Sequence, residues 1–174
     1  MKRFTAYEIA LAGLSCAFAT LLLTLGIYVP VLLFTGYLLA GIALMMPLAK
    51  QSFKGYVLAY LGSVLLTLIF SGFNFIDLLP FIVFFGLHPL VNELQLKTKI
   101  NVWPAFLIKA LWFDLSMLFV WKFLFEMSVG VAWIDRYAVP LIIVGGTLFF
   151  LVYDRATYRC REIVNQTVER IIKK

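Results

Sequence analysis

Residues 7–28 read YEIALAGLSCAFATLLLTLGIY, an apolar run whose one charge, Glu8, lies near its start. A helix needs about 20 mostly apolar residues, and at least about 17, to cross ~30 Å of hydrocarbon. This run is long enough. Five more follow, at Val31–Ala49, Gly55–Ser71, Phe75–Val91, Pro104–Phe125 and Tyr137–Tyr153, and the six fill almost all of the 174 residues. Lipid offers no water to an open backbone, so such runs must be helices rather than an open sheet. The expected fold is all-α, a polytopic bundle of six transmembrane helices over residues 1–153.

The gaps between the runs set the sidedness. Lys2, Arg3, Lys50, Lys54, Lys97, Lys99, Arg155, Arg159, Arg161, Arg170, Lys173 and Lys174 fall on one side, and Arg136 stands alone on the other. Flanking Lys and Arg are retained in the cytoplasm, so both termini are expected inside and the protein in the cytoplasmic (inner) membrane. Composition agrees: 63% hydrophobic, 14% charged, mean hydropathy +0.98. In a soluble protein the net charge of +6 would suggest nucleic acid. Here retention of positive loops and attraction to anionic membrane lipids explain it, and no nucleic-acid partner is expected. Cys16 and Cys160 are far apart in sequence, in a span and in the inner tail, so neither a disulfide nor a paired-cysteine metal site is expected. The first run follows Lys2 and Arg3 as a signal peptide would, but it exceeds a signal's apolar region and reads as a retained helix.

The short connections argue for one bundle without a soluble domain, and no internal repeat is visible. Tyr28, Trp121 and Trp133 fall at the outer interface and Trp103 at the inner one, as an aromatic belt would. Residues 154–174 form a second unit, a basic amphipathic helix continuing the sixth span into the cytoplasm. Its stripe is Tyr153, Ala156, Cys160, Ile163, Thr167 and Ile171. This helix either lies on the membrane surface, caps its own bundle, or docks against a partner.

Ala6, Ala10, Gly13 and Ala17 line one face of the first helix with small side chains, and Thr20 and Thr24 continue the row. Small residues let helix backbones approach closely in lipid, so this face either packs inside the bundle or docks another membrane subunit. Ionisable residues within spans are costly unless paired, hydrated or snorkelling. At ~1.5 Å rise per residue, Asp77 and Lys122 lie about 9 and 10 Å outward of their helix centres, which allows a salt bridge or a shared polar pocket. His88 and Lys109 match in the same way toward the inside, where Asn92 and Glu93 close the helix. Snorkelling is the expected explanation for Lys109 and Lys122. Asp114, nearest the midplane of the fifth span, has no obvious partner.

No catalytic set is legible. One histidine leaves no multi-histidine metal site or HExxH, and neither a phosphate loop nor a nucleophile elbow is present. Asp77 and Asp114 differ in depth by roughly 10 Å, too far for a paired-aspartate hydrolase. No metal, cofactor or enzymatic activity is expected.

Six helices, both termini inside, fewer than two hundred residues and the Ala6-x-x-x-Ala10 stripe together resemble the substrate-binding S components of energy-coupling factor vitamin transporters. The resemblance implies uptake of a small, vitamin-like molecule by a subunit that docks on a shared transmembrane protein and its ATPases. Ala6 and Ala10 would then meet the partner's coupling helices, with Gly13 and Ala17 on the same face. Asn74, Asp77, Trp121, Lys122, Trp133, Asp135 and Arg136 would neighbour the ligand toward the outer side. The chain departs from the family in its short first outer connection and its long basic tail. Two other readings stand beside it: a non-transporting scaffold of the bacterial envelope, similar in topology to six-span cell-shape proteins, and an enzyme acting on lipid.

Overall fold

Thr5 starts the first helix with a reciprocal cap, its hydroxyl accepting from the Glu8 N–H at 3.3 Å while the Glu8 carboxylate accepts from the Thr5 N–H at 2.8 Å. Both groups would otherwise be unmet at a helix N-terminus. From this cap α1 runs over Ala6–Tyr28. In a computed structural model describing residues 5–124 and 132–172 it is followed by α2 (Leu33–Ala43), α3 (Phe53–Phe70), α4 (Phe75–Pro80), α5 (His88–Thr98), α6 (Val102–Leu124) and α7 (Ala132–Ile172). Six of its helical segments are long and apolar enough to cross a membrane, and the described residues include no strand. The protein is an all-α, multi-pass helical bundle.

Its surface is that of a membrane protein. Leu14, Phe18, Leu21 and Leu25 on α1, Leu58, Leu61 and Leu65 on α3, and Leu107, Ile108, Leu111 and Leu115 on α6 are all exposed. Ser15, Ser63, Thr67, His88, Asn92, Lys109, Asp114 and Asp154 are buried. Apolar side chains out and polar ones in is the arrangement lipid demands.

α1, α2 and α3 pack closely over small residues. Ala12, Ser15 and Ala19 turn inward from α1, and the Ser15 hydroxyl donates to the Ala43 carbonyl at 2.6 Å. A Cβ built on Gly36 of α2 would lie 2.8 Å from the Leu22 carbonyl oxygen, so glycine sets how near α1 and α2 come. The face Ala6, Ala10, Gly13, Ala17 is a different one and is exposed along its length. A Cβ on Gly13 would meet nothing within 4 Å. Of the two packing alternatives for that face, the bundle does not use it.

The fourth span, expected as one helix over Phe75–Val91, is broken. Pro80 ends α4, a π-helical turn covers Phe81–Phe85, and α5 restarts at His88 and continues to Thr98. Proline removes a backbone donor and disturbs the ladder around it. In the π turn the Gly86 N–H reaches back to Phe81 at 2.8 Å, and the Leu90 N–H bonds Leu87 at 3.1 Å. These shifts leave Ile82 and Gly86 carbonyls off the regular ladder. Tyrosines from neighbouring helices meet them: Tyr60 donates to Ile82 at 2.8 Å, Tyr56 donates to Gly86, and Tyr37 donates to Asp77. Phe84, fully buried in the turn, then anchors an aromatic core, with Trp112 and Phe113 ring centroids 4.7 and 4.9 Å away.

α7 is one helix of 41 residues, about 62 Å long, roughly twice the hydrocarbon thickness. Its bundle-facing side in the C-terminal half is Asp154, Thr157, Arg161, Val164 and Val168. Of the expected apolar stripe, Tyr153 is buried and Cys160 half-buried, but Ala156, Ile163, Thr167 and Ile171 are exposed, one residue off this side. The offset arises because polar pairing, described next, sets the rotation of the helix.

The glycine contacts generate a stability test. Gly36→Ala places a methyl against fixed backbone, and the overpacking is expected to cost about 1–3 kcal/mol. Gly13→Ala should leave stability essentially unchanged. Unfolding of the two purified variants beside the parent protein measures both.

Candidate functional site

Two polar clusters lie inside the apolar bundle. The first is near the end that carries Lys50, Lys54, Lys97 and Lys99, the basic end. His88, Asn92 and Gln95 recur at i, i+4 and i+7 on α5, and Asp154, Tyr158 and Arg161 do so on α7, which gives each helix one polar face. Lys109 of α6 lies between them. Its ammonium donates to Asp154 Oδ1 at 2.7 Å and to Asn92 Oδ1 at 2.9 Å, and stands 5.2 Å from the centroid of the Tyr158 ring. His88 Nε2 lies 3.0 Å from the same Asp154 oxygen. Tyr158 donates to Gln95 at 2.9 Å, and Arg161 grips Glu93 with two nitrogens at 2.5 and 2.9 Å. Every ionic member has a partner of opposite charge or a hydrogen bond.

This arrangement corrects one expectation and completes another. Lys109 does not snorkel: it is only 3% exposed, because Asp154 one helix away neutralises it inside the bundle. The inward match of His88 and Lys109 does correspond to a meeting, but through Asp154, a residue that by sequence alone belongs to a solvated tail. The i, i+4, i+7 recurrence of polar residues on both α5 and α7 is the signal in the chain that points to it.

The second cluster is at mid-depth and beyond, toward the opposite end. Asp114 lies one residue from the midpoint of α6, about 1.5 Å along its axis, and is 7% exposed. Thr147 of α7 donates to its Oδ2 at 2.9 Å. Its Oδ1 is buried with no hydrogen-bond partner. That oxygen stands against Gly146, where a Cβ would come within 2.8 Å of it. Gly146 and Gly145 in turn wall a recess of about 380 Å³ between α2, α6 and α7, faced by Phe34, Phe113, Trp121 and Phe149. A Cβ on Gly145 would meet nothing within 4 Å, so this glycine widens the recess, which Asp114 itself does not line. The Phe34 and Phe149 rings meet edge to face at 5.3 Å and close one side.

The residues expected around a ligand are dispersed. Trp121 lines the recess and is half-buried. Asn74 caps α4, accepting from the Asp77 N–H at 3.3 Å, and its amide donates to Asp77 Oδ2 at 2.7 Å. The ion pairs among the described residues do not include Asp77 with Lys122, because the Asp77 side chain is held in this local cap. Lys122, Trp133 and Arg136 are exposed, and Trp133 and Arg136 belong to the first turns of α7 rather than to a loop. The Asp135 side chain and residues 125–131 lie outside the described set. Ala10 opens on an apolar groove of about 410 Å³ between α1 and the far end of α7, with Leu14, Phe18, Val164 and Val168.

No family model matches the chain, and neither the curated proteins nor the solved structures include a match.

The ion cluster yields a stability prediction. Removing one member of a buried pair leaves an uncompensated charge, so Asp154→Ala should cost about 3–5 kcal/mol. Replacing both partners by apolar residues is much milder, so Lys109→Met with Asp154→Leu should be more stable than Asp154→Ala. Denaturant unfolding of the purified proteins in one detergent ranks them.

Proposed function

We propose that the chain is a membrane-embedded binding subunit for uptake of a small molecule. It takes the molecule into the recess between α2, α6 and α7 and docks through α1 on a second integral-membrane protein powered by ATPases. Both termini are cytoplasmic, as the distribution of Lys and Arg requires, and the recess faces the outer half of the membrane. The observation that carries this reading is the Ala6, Ala10, Gly13, Ala17 face. It is a stripe for close helix contact that the bundle leaves exposed while packing a separate small set, Ala12, Ser15 and Ala19.

A scaffold would use the same face. It would not need an aromatic recess between three helices, faced by Phe34, Phe113, Trp121 and Phe149, and small-molecule sites are largely apolar. The recess therefore favours binding over scaffolding.

The test is paired. Ala10→Leu and Gly13→Leu should leave the isolated protein as stable as its parent, since Leu is at home on a lipid-facing surface, yet abolish co-purification of a membrane partner and its ATPases. Retained co-purification, or partners from envelope synthesis instead of ATPases, would contradict the reading. Reporter fusions after Lys54, Lys99 and Lys174 should report cytoplasm, and those near Asn74 and Gly130 the outside. One fusion on the opposite side would overturn the topology.

A further inference from the structure

The far end of α7 does not stand free of the bundle. Ile163, Val164, Val168 and Ile171 form one wall of the groove of about 410 Å³, and Leu14 and Phe18 of α1 stand on the other. Met46 also lines it, and the turn Pro47–Lys50 that follows packs against both helices. This end of α7 therefore lies level with the first turns of α1, at the basic end of the bundle. Ile163 and Ile171 line the groove and are still exposed, as are Leu14 and Phe18, so it is continuous with the lipid-facing surface of α1.

The walls and the rim narrow what fits. Helices approach each other closely over small side chains, and Ala10 and Thr167 are the only small residues lining the groove. The rest are long, branched or aromatic. A flexible acyl chain needs no small-residue face and gains from each methylene it buries there. Charge then selects the headgroup. Arg159 is four residues before Ile163 and Arg170 three after Thr167, so both border the groove side of the helix. Both are exposed, and among the described residues neither is in an ion pair. The exposed acids of this segment, Glu162 and Glu169, fall on the opposite side of the helix from the groove residues. Glu8 of α1 is turned to the Thr5 cap. We propose that the groove binds an anionic phospholipid of the inner leaflet, one acyl chain between α1 and α7 and its phosphate at Arg159 and Arg170. The site is separate from the recess and depends neither on uptake nor on a docked partner.

The experiment supplies the full chain in detergent with equal amounts of palmitoyl-oleoyl phosphatidylglycerol and phosphatidylcholine, and native mass spectrometry counts the lipid retained. The acyl chains are identical, so any preference belongs to the headgroup. A basic residue near an anionic lipid surface contributes roughly a fivefold factor, so phosphatidylglycerol should be retained at least about tenfold over phosphatidylcholine. Arg159→Gln with Arg170→Gln should bring the two lipids to parity. Lys54→Gln with Lys99→Gln removes the same charge at the same end and should leave the preference intact. Thr167→Trp puts a large ring in the groove and should expel the lipid, whereas millimolar inorganic phosphate should displace none. The proposal is overturned by parity on the parent protein, or by a preference that falls equally in both double variants. Lipid displaced by phosphate, or retained in full by Thr167→Trp, overturns it too, as does a dimer of the chain that Thr167→Trp separates. All five substituted side chains are exposed, so the variants should fold. Should one fail to, the two-lipid comparison on the parent protein decides alone.

Discussion

Nothing in the hydrocarbon of a bilayer can replace a missing hydrogen bond, and this bundle is organised by that constraint. The broken fourth span is its clearest expression. Pro80 and the π turn at Phe81–Phe85 displace carbonyls from the ladder, and Tyr37, Tyr56 and Tyr60 from α2 and α3 supply the missing donors. Each such bond is also a tertiary contact. The helix break therefore costs less than it would alone, and it locks α4 and α5 against the first three helices.

The same constraint sets the other half of the molecule. Lys109 can be buried only beside an anion, and Asp154 supplies one from α7 while His88 and Asn92 contribute from α5. Three helices are thereby fixed in rotation and depth. With α7 held in this way, Gly146 comes against Phe113 and Asp114, and the recess opens beside it between α2, α6 and α7. Asp114 is held in part by the same constraint: Thr147 donates to its Oδ2, while Oδ1, against Gly146, has no hydrogen-bond partner.

How much of this the sequence discloses follows from range. Helix existence is legible because apolar length is a local property. The expected first, third and fifth runs, Tyr7–Tyr28, Gly55–Ser71 and Pro104–Phe125, differ from α1, α3 and α6 by at most two residues at either end. The break in the fourth span is also written locally, in Pro80 and Pro89, but hydropathy averages over it. The Asp154 partnership is not legible from the spans, since Asp154 reads as the first charge of a tail and its partners are 45 and 66 residues away in sequence. Asp114 is conspicuous as a lone midplane acid, and its meeting with Gly146 and Thr147 needs the packing of α6 on α7. The outer set around Asp77 and Lys122 fails for the converse reason. Matching depth is necessary for contact but not sufficient, and a cap three residues away claims Asp77 first.

On this reading the bundle holds a small molecule in the recess between α2, α6 and α7. Native mass spectrometry of the protein released gently from lipid nanodiscs addresses it whatever the ligand is. The expected result is a discrete small-molecule adduct on the parent protein that is lost in Gly145→Leu, whose side chain enters the recess, with bound phospholipid unchanged between the two. A parent protein that carries phospholipid alone, or an adduct retained in full by Gly145→Leu, would contradict it.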